Sequence, residues 1–111
     1  MEESNIAVQI HPDLLRPNEA EKIVQELKSL SQKPQVMKVD VTEADGPNAY
    51  INVNFVSNDG VGLWEQIKDV LFNKVSAGRK ATVVVCTGRL GWKDYLLLHH
   101  YDPSQRLDTL T

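Results

Sequence analysis

The stretch Met37–Phe55, MKVDVTEADGPNAYINVNF, decides the fold. Met37, Val39 and Val41 alternate with Lys38, Asp40 and Thr42, and Ile51, Val53 and Phe55 alternate with Tyr50, Asn52 and Asn54. A period of two places successive side chains on opposite faces, so each run reads as a strand with one apolar face. Asp45-Gly46-Pro47-Asn48 between them carries the residues of a tight turn, and the pair reads as an antiparallel hairpin.

Upstream of the hairpin the period changes. Ala20, Ile23, Val24, Leu27 and Leu30 recur at helical spacing, with Glu19, Glu21, Lys22, Glu26 and Lys28 on the other side. Pro17 or Asn18 opens this helix, acids occupy its first turn, and Pro34 stops it, which predicts a helix over 18–32. Before it, Ile6, Val8 and Ile10 alternate with Ala7 and Gln9 as a half-buried strand. Downstream, Ser57-Asn58-Asp59-Gly60 offers helix caps, and Leu63, Trp64, Ile67, Val70, Leu71 and Val75 mark a second amphipathic helix closed near Gly78. Thr82–Thr87 and Tyr95–Tyr101 read as two more strands, joined by Gly88–Asp94 and ended by Pro103.

The order strand, helix, strand, strand, helix, strand, strand predicts an α+β domain over residues 1–103. Its expected plan is the ferredoxin-like β-α-β-β-α-β sandwich with one extra C-terminal strand. Both helices then bury their stripes on one face of an antiparallel sheet, expected to be lined by Ile6, Val8, Ile10, Met37, Val39, Val41, Ile51, Val53 and Phe55. The opposite face takes Gln9, Lys38, Asp40, Thr42, Tyr50, Asn52 and Asn54, with Val84 and Leu97 as apolar relief. Residues 104–111 read as a disordered tail.

The chain has 111 residues, 41% of them hydrophobic, enough for one core without a metal or disulfide. Twelve basic and fifteen acidic residues give a net charge of −3, which argues against a partner built of phosphates, whether nucleic acid or anionic membrane. Cys86, the only cysteine, lies in an apolar run and reads as a buried hydrophobe. Acidic residues at the start of the chain, no bilayer-spanning apolar run and no Asn-x-Ser/Thr sequence together give the cytoplasm as the expected address.

Two constellations compete for a function. Gly88-Arg89-Leu90-Gly91-Trp92-Lys93-Asp94-Tyr95 places Arg89, Trp92, Lys93 and Tyr95 on a pliable hairpin, and Trp, Tyr and Arg are the residue types that anchor protein interfaces. That favours a non-catalytic protein-binding or regulatory module, with Trp92 folded back onto the core as the plainer outcome. The alternative is a small enzyme or ligand-binding protein using the open sheet face or a homodimer interface. His99 or His100 would be its base, Asp102 the orienting carboxylate, and Asp40, Asn52 and Asn54 polar contacts. Strand alternation sends His99 and Tyr101 to one side and His100 and Asp102 to the other. No nucleophile motif, metal-ligand spacing or cofactor signature accompanies them, so no metal or cofactor is expected. Gly60-x-Gly62 lacks the remaining glycine and the lysine of a phosphate loop and reads as a helix start, while Trp64 reads as core and His11 as a loop residue.

Overall fold

The computed structural model describes residues 3–110. Among them, β1 (Ser4–Ile10), β2 (Val36–Ala44), β3 (Tyr50–Ser57), β4 (Thr82–Gly88) and β5 (Gly91–His100) form one open sheet in the order β2-β3-β1-β4-β5. Every adjacent pair is antiparallel. Two α-helices, α1 (Pro17–Ser29) and α2 (Gly60–Asp69), complete an α+β architecture.

Helix starts follow their sequence signals. Pro17 opens α1, and the Arg16 N–H donates to the Glu19 carboxylate at 2.9 Å. At α2 the Asp59 carboxylate accepts the Gly62 N–H at 3.0 Å. The buried Ser57 hydroxyl organises the approach, donating to the Gln35 carbonyl at 2.7 Å and accepting from the Asp59 N–H at 2.9 Å. Asp59→Ala is expected to cost about 1 kcal/mol in urea unfolding, the usual worth of such a cap. Asp59→Asn should recover most of it. After Asp69 the helical path widens into one π turn over Val70–Lys74 and tightens over Ser76–Lys80.

One buried cluster joins Ile6, Val8 and Ile10 of β1, Val53 and Phe55 of β3, Val84 and Cys86 of β4, and Leu98 of β5 to Ile23 and Leu27 of α1 and Leu63, Trp64 and Ile67 of α2. The register aligns these strand residues in rows, Phe55 with Ile6 and Cys86, and Val53 with Val8 and Val84. Both helices therefore pack on one face of the sheet.

Three residues expected on or off that face sit elsewhere. Met37 is 54% exposed because the β2–β3 pairing slips between Val36 and Lys38 and takes Met37 out of phase. Val41 keeps its phase opposite Val53, yet it lies on the edge strand and stays exposed. Val84 belongs to the core rather than the open face, and Val83 and Val85 face away instead. No helix among the described residues is long and apolar enough to cross a membrane.

Candidate functional site

The open face is graded from polar to apolar across the sheet. One row runs Asp40, Asn54, Ala7, Val85, Leu97; the next runs Thr42, Asn52, Gln9, Val83, His100. The β2–β3 side satisfies itself in part, with the Asn54 amide donating to the Asp40 carboxylate at 3.0 Å. The β4–β5 side carries aliphatic groups and ends in aromatic ones.

The β4–β5 turn is tighter than Gly88–Asp94. Gly88 pairs directly with Gly91, whose φ of 75° suits glycine alone among common residues. A Cβ on Gly88 would run into the Asp94 carbonyl, and the Asp94 carboxylate accepts the Leu90 N–H at 2.8 Å. From Cys86 to Gly88 β4 advances two residues while β5 covers Leu96 back to Gly91. The surplus residues bulge, and the irregularity turns Trp92 and Tyr95 onto one groove.

That groove, of ≈ 490 Å³, is lined by Val83, Val85, Trp92, Tyr95, Leu97, His100 and Gln105. Trp92 is 50% exposed and Tyr95 56%, so neither ring is folded into the core. Arg89 lies instead in adjoining grooves at the end of the sheet, beside Glu3, Thr87 and Gly88. Lys93 is exposed on the same hairpin. Among the described residues, ion pairs join Lys68 to Glu65 and Lys74 to Asp69, and neither Arg89 nor Lys93 enters one. The hairpin thus combines half-exposed aromatic area with charged groups of both signs, Arg89 and Lys93 beside Asp94 and Glu3.

The histidine cluster does not converge. β5 carries an extra residue at Leu98, between the pairs Val85–Leu97 and Val84–His99. This bulge places Leu98 and His99 both toward the core, and alternation resumes only at His100. His99 is 8% exposed, packs edge-on against Phe72 with centroids 5.0 Å apart, and its Nε2 lies 2.8 Å from the Arg79 carbonyl. A carbonyl only accepts, so Nε2 carries the proton and donates. His100 faces the open groove, and its Nδ1 accepts the Asp102 N–H at 3.0 Å. The Asp102 carboxylate turns away, accepting from the Ser104 N–H at 2.9 Å and hydroxyl at 2.8 Å. Those bonds hold its carboxyl below the usual carboxylate range. Tyr101 packs between two imidazoles, tilted against His100 with centroids 4.6 Å apart and edge-on to His11 at 5.1 Å. His99 thus points to the core and His100 to the groove, and the Asp102 carboxylate, expected to orient an imidazole, is engaged in a turn instead. Among the described residues no three His, Cys, Asp or Glu side chains gather as a metal-ligand set.

Burial pushes the His99 imidazole below its ordinary pKa, and burial followed by the charge of His100 does the same to His11. The unfolded chain then binds protons that the fold refuses, so stability rises with pH. It is fully present above the ordinary imidazole value of about 6.5 and declines as pH falls through and below it. The free energy of urea unfolding should drop between pH 7.5 and pH 5, by at most about 1.4 kcal/mol per pH unit for each excluded proton. His99→Gln should flatten that decline; an unchanged slope would place the titrating group elsewhere. Cys86 is buried, and burial raises its thiol pKa, which suits an inert core thiol.

Comparison with protein-family models, with curated proteins and with solved structures finds no significant match to this chain.

Proposed function

We propose that this protein is a non-catalytic binding module that engages a protein partner through the β4–β5 hairpin and the apolar half of the open sheet face. The observation that carries the reading is the pair of half-exposed rings, Trp92 and Tyr95, flanking one groove floored by Val83, Val85 and Leu97. Trp and Tyr offer large contact area at low conformational cost, and such rings dominate measured binding energies. Lys93 on the same hairpin, and Arg89 in the adjoining grooves at the end of the sheet, add charge near this surface, where it steers encounter and selects among partners.

The strand order β2-β3-β1-β4, with β5 set aside at the edge, supports the narrower reading of the fold as a ferredoxin-like plan with one added strand. That plan hosts unrelated activities, so the hairpin and not the fold carries the functional reading. The single free, buried Cys86 suits a reducing compartment such as the cytoplasm.

The test places a photoactivatable amino acid at Leu90, which is exposed at the hairpin tip. Irradiation in cells should give a discrete adduct with one protein, and the adduct should vanish in the Trp92→Ala/Tyr95→Ala chain. Adducts that persist unchanged in that chain would contradict the reading. An adduct of two copies of this chain would make the partner a homodimer.

A further inference from the structure

We propose that the outer edge of β5 is a strand-accepting site, held by the chain's own C-terminal segment and taken by an extended segment of a protein partner that likewise carries an aspartate two residues before a leucine. This rests on the reading of β4–β5 as the interaction surface but concerns its edge, not the Trp92 groove.

β5 is the last strand of the sheet, so one row of its main-chain groups has no strand beside it. Leu97 shows what fills that row. Its N–H donates to the Asp108 carboxylate at 2.8 Å, and its carbonyl accepts the Asp108 N–H at 2.8 Å. These two bonds reproduce the exchange between paired residues of an antiparallel ladder, with a carboxylate oxygen where a neighbouring strand would place a carbonyl. Leu110, two residues on, lies against the core at the head of α2, and Leu107 on the other side is exposed. The occupant is thus a short segment with one acid flanked by leucines, in the sequence Leu107-Asp108-Thr109-Leu110.

The hold is local. Asp108 covers Leu97 alone, while the main-chain groups of Tyr95, two residues along the strand, face the same side by alternation. A partner strand that continued past Leu97 to Tyr95 would gain further ladder bonds. An aspartate placed as Asp108 is and a leucine two residues on therefore select the partner segment, and the chain's own Asp108 is the competitor it must displace.

The experiment uses the full chain and a synthetic peptide of residues 104–111, Ser-Gln-Arg-Leu-Asp-Thr-Leu-Thr, as the probe. Hydrogen exchange read by NMR should find the Leu97 amide protected in the wild-type chain and at least tenfold faster in Asp108→Ala. The peptide should bind the Asp108→Ala chain at least tenfold more tightly than wild type and shift the Tyr95 and Leu97 amides. The same peptide with alanine in place of its aspartate should not bind. Equal Leu97 exchange in both chains, equal peptide affinity, or no binding to Asp108→Ala at millimolar peptide would overturn the proposal. Trp92→Ala/Tyr95→Ala added to Asp108→Ala distinguishes the two surfaces. Lost partner crosslinking with retained peptide binding leaves the edge standing, and lost peptide binding with retained crosslinking removes the edge alone.

Discussion

Phe55→Ala should destabilise the protein by about 3–5 kcal/mol in urea unfolding, the range for deleting a large buried aromatic. Phe55 is among the largest fully buried side chains and sits on β3, one strand in from the edge, in the row shared with Val39, Ile6 and Cys86. Helices cover that row, so the vacated volume has little room to collapse. A domain of this size is stable by about 5–15 kcal/mol in all, so the variant should be partly unfolded at physiological temperature. Val41→Ala is the matched control. Val41 shares the phase of that face but lies exposed on the edge strand, and its loss should cost under about 1 kcal/mol. Equal costs for the two would mean that the helices do not cover the sheet as described.

Trp92→Ala/Tyr95→Ala should weaken partner binding by roughly 100-fold or more, since truncating an interface hot spot costs about 2 kcal/mol or more. Both rings are half exposed in the free protein, so the thermal midpoint should stay close to that of the parent chain. Binding loss without stability loss is the pattern that separates an interface anchor from a core residue. Val61→Ala, an equally exposed aliphatic site on α2, should leave affinity unchanged. Titration calorimetry and thermal unfolding on the three chains decide the matter.

The helices and the β2–β3 hairpin were legible in the sequence because their apolar residues keep a clean period. Ile23, Leu27 and Leu30, or Val53 and Phe55, admit one phase only. The second half of the sheet is written differently. Thr82-Val83-Val84-Val85-Cys86 is apolar at four consecutive positions, and a continuous run gives no alternation to tell Val84 from its neighbours. Leu96-Leu97-Leu98 has the same defect, and it hides the bulge that turns His99 inward. A bulge is fixed by the pairing of two strands, and no single run of residues announces it. The expected pairing of His100 with Asp102 fails for a separate reason: β5 ends at His100, and the Asp102 carboxylate is taken up by the turn that follows.

Candidate interface residues were legible by type and not by placement. Trp92 and Tyr95 stood out as anchors, but their meeting on one groove depends on the irregular ladder beyond Gly91. The structure separates Arg89 from them and adds Val83, Val85 and Leu97, whose aliphatic runs carried no functional signal. The segment read as a disordered tail contains the Asp108 contact with Leu97, a side-chain bond to the main chain across eleven residues. Such a bond depends on where the chain returns in space and has no local signature.

The most direct measurement follows the fluorescence of Trp92 in a Trp64→Phe chain, where it is the sole tryptophan. Free in solution it should emit as a solvent-exposed indole and be quenched freely by iodide. Adding the crosslinked partner as purified protein should shift the emission to the blue and shield the ring. Emission and quenching that stay unchanged in a complex shown to form by sedimentation would contradict the account, because the partner would then bind without touching Trp92.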